Sequence, residues 1–202
     1  MFPENYILYI QLLLFLFITP GPPRVVIVSH TINYGLKRSV WTAVGDVTAN
    51  TVQATLVTFV IGSLLIDNPK IFTYLKWTGI LYILYLAYET FNIKIKSISS
   101  KNYYHKSIFS FFKDGFLVAG LSPKALLVFA TIFIQFINFN ENVFSQFLIL
   151  TLTWVILDFS TLMIYGLAAG KIREWLKGNP KFLNTISACV LIVIAVIVAF
   201  KT

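Results

Sequence analysis

Thr19-Pro20-Gly21-Pro22-Pro23 and Gly120-Leu121-Ser122-Pro123-Lys124 decide how this chain is read. Each stretch interrupts a long apolar run, and both do so at the same depth. Pro20 stands fourteen residues after Tyr6 and Pro123 fourteen after Phe109, where the two runs begin. A helix broken inside a bilayer exposes backbone N–H and C=O groups that hydrocarbon cannot satisfy. Such a break survives only against protein or a watery cavity. Matched breaks in the two halves of one chain are the pattern of a solute site built from discontinuous helices.

The surroundings of the two breaks set the fold class. Of 202 residues, 57% are hydrophobic and 12% charged, against about 25% charged in ordinary soluble domains. Six apolar runs, at about 6–32, 40–66, 71–93, 109–137, 143–169 and 182–200, are each long enough to cross a hydrocarbon core of roughly 30 Å. The expectation is an all-α integral membrane protein of one domain, residues 1–202. It has six transmembrane helices in two inverted three-helix repeats, about 1–93 and 109–202, joined by a basic loop at about 94–108. Spans one and four are broken at their proline motifs. The first run is read as a retained helix, because no Lys or Arg precedes it and no small-residue cleavage site follows. The single cysteine, Cys189, allows no intrachain disulfide and is expected as a buried thiol.

Basic residues orient the chain. The loops after runs one, three and five share a side and carry eleven Lys and Arg, against Lys70, Lys76 and Lys201 on the other; Arg24 and Lys124 lie within runs. The rich side is the cytoplasmic one, which puts both termini outside. The net charge of +8 then reflects orientation and anionic lipid rather than nucleic acid.

Charge within a span costs about 2.5–3.5 kcal/mol on insertion scales. Asp46 in run two, Asp158 in run five, Lys124 at the second break and Arg24 after the first are therefore conspicuous. Ion pairing that only holds the bundle is one reading. The other is a site for a zwitterionic solute, with Asp46 and Asp158 as proton carriers and Lys124 paired to an acid. Asn50 lies one turn from Asp46 on the same helix face. Thr51 and Thr55 are expected as interhelical hydrogen-bond glue. Ser122-Pro123 reads as N-cap and first residue of a half-helix, and Thr19-Pro20-Gly21-Pro22 likewise. Both half-helices then aim their N-terminal ends at a solute carboxylate, while the acids take its amine.

At these residues the chain resembles the lysine exporter (LysE/RhtB) family of amino-acid efflux proteins. The resemblance rests on Thr19-Pro20-Gly21-Pro22, then Gly35 and Gly45, then Phe112 through Gly115, Ser122-Pro123-Lys124-Ala125 and Gln135-Phe136. Ser122 replaces the usual Asn, Ile134 a common Pro, and Asn50 occupies a place often held by Asp or His. The resemblance implies proton-driven export of amino acids or related small metabolites across the bacterial cytoplasmic membrane. The solute site would comprise Pro20, Gly21, Pro22, Asn50, Ser122, Pro123, Lys124 and Gln135, with Asp46 and Asp158 coupling protons. No cofactor or metal is implied. Partners are the solute and the bilayer, and the aromatic faces could equally meet a second copy. Alternatives are a metal-cation exporter, disfavoured by two unpaired histidines and one cysteine, and a non-transporting assembly or sensor subunit. An enzyme is disfavoured by the lack of His-Glu-x-x-His and Gly-x-Ser-x-Gly motifs.

Overall fold

The first apolar run folds as two helices. In the computed structural model, which describes residues 5–18, 21–61 and 106–169 with isolated positions at 3, 73–88, 171 and 185–200, α1 spans Tyr6–Ile18 and α2 spans Pro22–Tyr34. Their axes meet at 53°. Gly21 is extended (φ −120°, ψ 177°), and Pro22 opens the first turn of α2. There its missing N–H costs nothing and its fixed φ suits the helix. Gly35 then takes φ +82°, which an L side chain rarely adopts. The chain turns at once into α3, Leu36–Leu56, continued by a π-helical turn at Val57–Ile61. The helix thus starts a turn before the apolar run at 40: the charged Leu36-Lys37-Arg38 stretch is helical, and the glycine marks the boundary.

The fourth run is broken in the same manner. Helix α4 covers Ile108–Gly120 and α5 covers Pro123–Thr131, followed by a 3₁₀ turn at Phe133–Phe136. Ser122, with φ −80° and ψ 108°, accepts from the Ala125 N–H through its Oγ, the N-cap expected from its sequence. Helix α6, Val143–Leu167, is capped by Asn142, whose side chain accepts from the Ser145 N–H. At 25 residues it is apolar and long enough to cross a membrane alone, and α1 with α2 qualifies as one bent span. The described residues include no strand. Runs three and six lie largely outside the described residues, as do the connecting loop at 94–105 and the break residues Thr19 and Pro20. Ile80, Ala87, Ala188 and Ala195 are nevertheless buried in the main core.

Two features hold the site's frame. Helices α3 and α4 cross with their backbones touching: a Cβ on Gly45 would fall on the Phe112 carbonyl oxygen, and one on Gly115 on the Thr42 carbonyl oxygen. Each helix contributes the glycine that admits the other, as in close-packed membrane helices. Helix α1 is tied to α6 by Tyr9, whose hydroxyl donates to the Leu150 carbonyl at 3.0 Å, and by a 2.6 Å contact between the Tyr6 hydroxyl and Thr153 Oγ1. Beneath these bonds an aromatic core of Tyr9, Phe129, Phe133 and Phe136 is buried. Cys189 is exposed rather than buried; on an apolar helix, an outward face needs no polar residue.

Candidate functional site

Both helix breaks leave carbonyl groups without helical partners, and in both a distant helix supplies the donor. At the first, the Tyr165 hydroxyl of α6 donates to the Ile18 carbonyl at 2.6 Å. At the second, Gln53 Nε2 of α3 donates to the Gly120 carbonyl at 3.0 Å, with the Ala119 carbonyl at 3.4 Å. The breaks are therefore held open by side chains from outside the broken helices. A proline kink that merely bends a helix has no use for such partners.

Between the two breaks lies a cavity of about 70 Å³, room for several waters at roughly 10–15 Å³ each. Gly21, Pro22 and Pro23 line it from the first break and Ser122 and Ala125 from the second. Arg24, Asn50 and Asp158 supply its polar wall, and Phe17, Val128 and Trp154 are among its apolar residues.

A buried charge cluster adjoins the cavity. Arg24 Nη2 donates to Asp158 Oδ1 at 2.5 Å, with the two side chains 10% and 0% exposed. The Asn50 amide donates to Asp158 Oδ2 and to Asp46 Oδ2, both at 3.0 Å. One amide group thus joins an acid of α6 to an acid of its own helix, 108 residues apart in the first case. One guanidinium faces two carboxylates, leaving one negative charge in surplus among these three side chains when both acids are ionised. The guanidinium also lies over the Phe17 ring, 5.0 Å from its centre, a geometry in which the ring face attracts a cation.

The polar groups here are incompletely paired. Among the described residues, Arg24 Nε, Asn50 Oδ1 and Trp154 Nε1 of the cavity lining are buried with no hydrogen-bond partner, as are Asp46 Oδ1 and Gln53 Oε1 on α3 and three threonine hydroxyls elsewhere. Most buried polar atoms in folded proteins have one, and three exceptions on the wall of one cavity mark it as a candidate site for a guest or water.

The residues singled out from sequence distribute as follows. Gly21, Pro22, Asn50, Ser122 and Asp158 line the cavity, and Asp46 joins them through Asn50. Pro123 and Lys124 form the first turn of α5, adjoining the cavity at Ser122. Pro20 lies outside the described residues. Gln135 sits in the 3₁₀ turn beyond α5 and donates to the Thr131 carbonyl at 2.5 Å; it does not line the cavity. Thr51 and Thr55 bond the carbonyls of Val47 and Thr51 on their own helix, not a neighbouring one. Sequence reasoning left Arg24, Phe17, Gln53, Trp154 and Tyr165 out of the site. Arg24 had a signal, an intramembrane charge one turn past a break, and Gln53 had one as a polar residue of the most polar run; Phe17, Trp154 and Tyr165 read as ordinary interior residues.

A second polar cluster spans α2, α3 and α4 away from the cavity. Lys106 pairs with Asp114, His30 Nε2 lies 3.4 Å from Asp114 Oδ2, and His30 Nδ1 meets Thr42 Oγ1 at 2.8 Å. No group of three or more His, Cys, Asp or Glu able to hold a metal occurs among the described residues.

A family model described as LysE type translocator matches residues 14–202. A Bacillus subtilis (strain 168) relative, named an uncharacterized membrane protein YrhP, is 27% identical over 194 residues, covering 89% of each chain. A Salmonella typhimurium relative named homoserine/homoserine lactone efflux protein is 26% identical over 188 residues, covering 91% of this chain and 89% of its own. An uncharacterized membrane protein of Vibrio cholerae is 23% identical over 160 residues. No solved structure matches.

Proposed function

The chain belongs to the LysE type translocator family, and from that premise we propose that it exports amino acids or related small metabolites by proton exchange through the cavity between the two breaks. It is a membrane protein of a transporter family, with small solutes as its cargo. The relatives named for homoserine and homoserine lactone efflux support a small amine-bearing solute. The finer reading adds six spans in two inverted repeats, the bacterial cytoplasmic membrane, and both termini outside. It rests on the six apolar runs, on the basic-residue count, and on two breaks that fall at matching positions.

The observation that carries the mechanism is the charge cluster, one guanidinium against two carboxylates bridged by Asn50. A surplus negative charge on buried side chains is unfavourable. A proton on one acid neutralises it. A zwitterionic solute leaves the net charge unchanged, but its ammonium seeks the same carboxylates the proton does. Ammonium and proton therefore compete for an acid of the cluster, and a protein that changes access only with that acid occupied exchanges one for the other across the membrane. Asp46 and Asp158 are the proton-carrying acids in this scheme, Asn50 links them, and Ser122 and Pro123 start the half-helix that borders the solute.

Proteoliposomes test this. An outwardly directed amino-acid gradient should move protons inward through the wild-type protein, and solute-for-solute exchange should proceed without a pH gradient. Unchanged proton-driven export after Asp46→Asn together with Asp158→Asn would refute the role given to the acids.

A further inference from the structure

We propose that Arg24 and Trp154 together receive the solute's carboxylate, and that Asn50 Oδ1 receives its ammonium. This rests on the exporter reading and says how the solute lies in the site.

The prolines themselves argue for a side-chain receptor. Pro22 and Pro23 bring no N–H to the first turn of α2, and the Val25 N–H closes onto the Gly21 carbonyl. At α5, Pro123 again has no N–H, and the Ala125 N–H is taken by Ser122 through its carbonyl and Oγ. Two half-helix starts that look from sequence like ready anion sites therefore offer few free amide donors. An anion in this cavity needs its donors from elsewhere.

Two such donors stand on cavity-lining side chains. Arg24 uses Nη2 on Asp158 and keeps Nε buried without a partner, and Trp154 keeps its indole N–H buried without a partner. Trp154 lies one turn before Asp158 on α6, so both face the same side. Phe17 stands between them: the Arg24 guanidinium lies over its ring at 5.0 Å, and the Trp154 ring meets it edge-on at 5.1 Å. The same wall carries an acceptor. Asn50 spends its amide N–H groups on the two acids, and its Oδ1 is buried and unpartnered. Two orphan donors and one orphan acceptor around one cavity match the carboxylate and ammonium of an α-amino acid. Arg24 would swing part of its charge from Asp158 to the solute, freeing that acid for a proton or for the amine.

The test compares L-amino acids with uncharged side chains, homoserine among them, each against its methyl ester. The ester keeps the amine and loses the anionic carboxylate. Solute exchange in proteoliposomes is measured for the wild type, Trp154→Phe, and the charge-neutral double variant Arg24→Gln/Asp158→Asn. The wild type should prefer acid over ester at least about tenfold, the scale of one hydrogen bond to a charged group. Both variants should lower that preference by about tenfold. Trp154→Phe keeps an aromatic ring against Phe17 and Phe129, so its loss reports the N–H. Equal use of acid and ester by the wild type would overturn the proposal whether or not the variants fold. So would a preference that survives in folded variants. If the wild type moves no member of either series, the exporter reading itself falls.

Discussion

Asn50 is the residue on which the most depends, because a single amide group holds two carboxylates that would otherwise face each other at close range. Asn50→Leu removes both bonds and leaves two buried acids short of a donor. A loss of roughly 2–4 kcal/mol is expected from two such deletions, read as a lowered Tm in detergent. Asp46→Asn is milder, since an amide oxygen can still accept from Asn50. It should leave a folded protein that exchanges solute for solute but no longer couples to a pH gradient, seen as exchange without uphill export. Asp158→Ala is harsher than Asp46→Ala, because it strands the Arg24 guanidinium; breaking a buried pair costs about 3–5 kcal/mol. Arg24 and Asp158 are 134 residues apart in the chain. That is why sequence reading recognised both charges yet considered Lys124 as a partner for an acid. Intramembrane charge is legible from composition; which charge meets which is decided by the packing of α2 on α6.

Elements were legible wherever the signal was local. Ser122-Pro123 announces a cap and a helix start within two residues, and the structure has both. Gly21-Pro22 opens α2 in the same way, although the prolines that mark the start also remove the amide donors an anion would use. The beginning of α3 was less legible, because Lys37 and Arg38 read as loop by charge, whereas the left-handed Gly35 is what ends α2. Gln53 and Tyr165 complete the breaks from other helices, and no neighbouring residue in sequence betrays them. The α3–α4 crossing gives a sharp prediction. Gly45→Ala or Gly115→Ala places a methyl on backbone of the facing helix and should destabilise by at least about 1–3 kcal/mol through overpacking. Gly120→Ala meets only Ala49 Cβ at 3.5 Å and the Phe116 ring at 3.9 Å, so it should change Tm little. Thermal unfolding of the three variants side by side decides it, and equal effects would contradict the crossing described.

For the whole molecule, the proposed three spans per half would place the two breaks in helices that enter the membrane from opposite sides. Eleven basic residues on one side predict where the loop at 94–108 lies. With Cys189 replaced by Ser, a cysteine at Lys101 should be shielded from a membrane-impermeant maleimide in intact cells, and one at Asn68 should be labelled; the reverse pattern would invert the topology. The broad class was legible from apolar runs alone, since lipid permits few architectures. The solute was not, because in the proposed site selectivity would reside in a few side chains lining about 70 Å³. Ala125, half-buried on the cavity wall beside the second break, offers the most direct probe of that space. In the Cys189→Ser background, Ala125→Cys should react with a hydrophilic methanethiosulfonate reagent, and an exported amino acid should slow that reaction. A folded protein whose cysteine at this position never reacts, or reacts at a rate no transported solute changes, would contradict a water-reachable solute site between the two breaks.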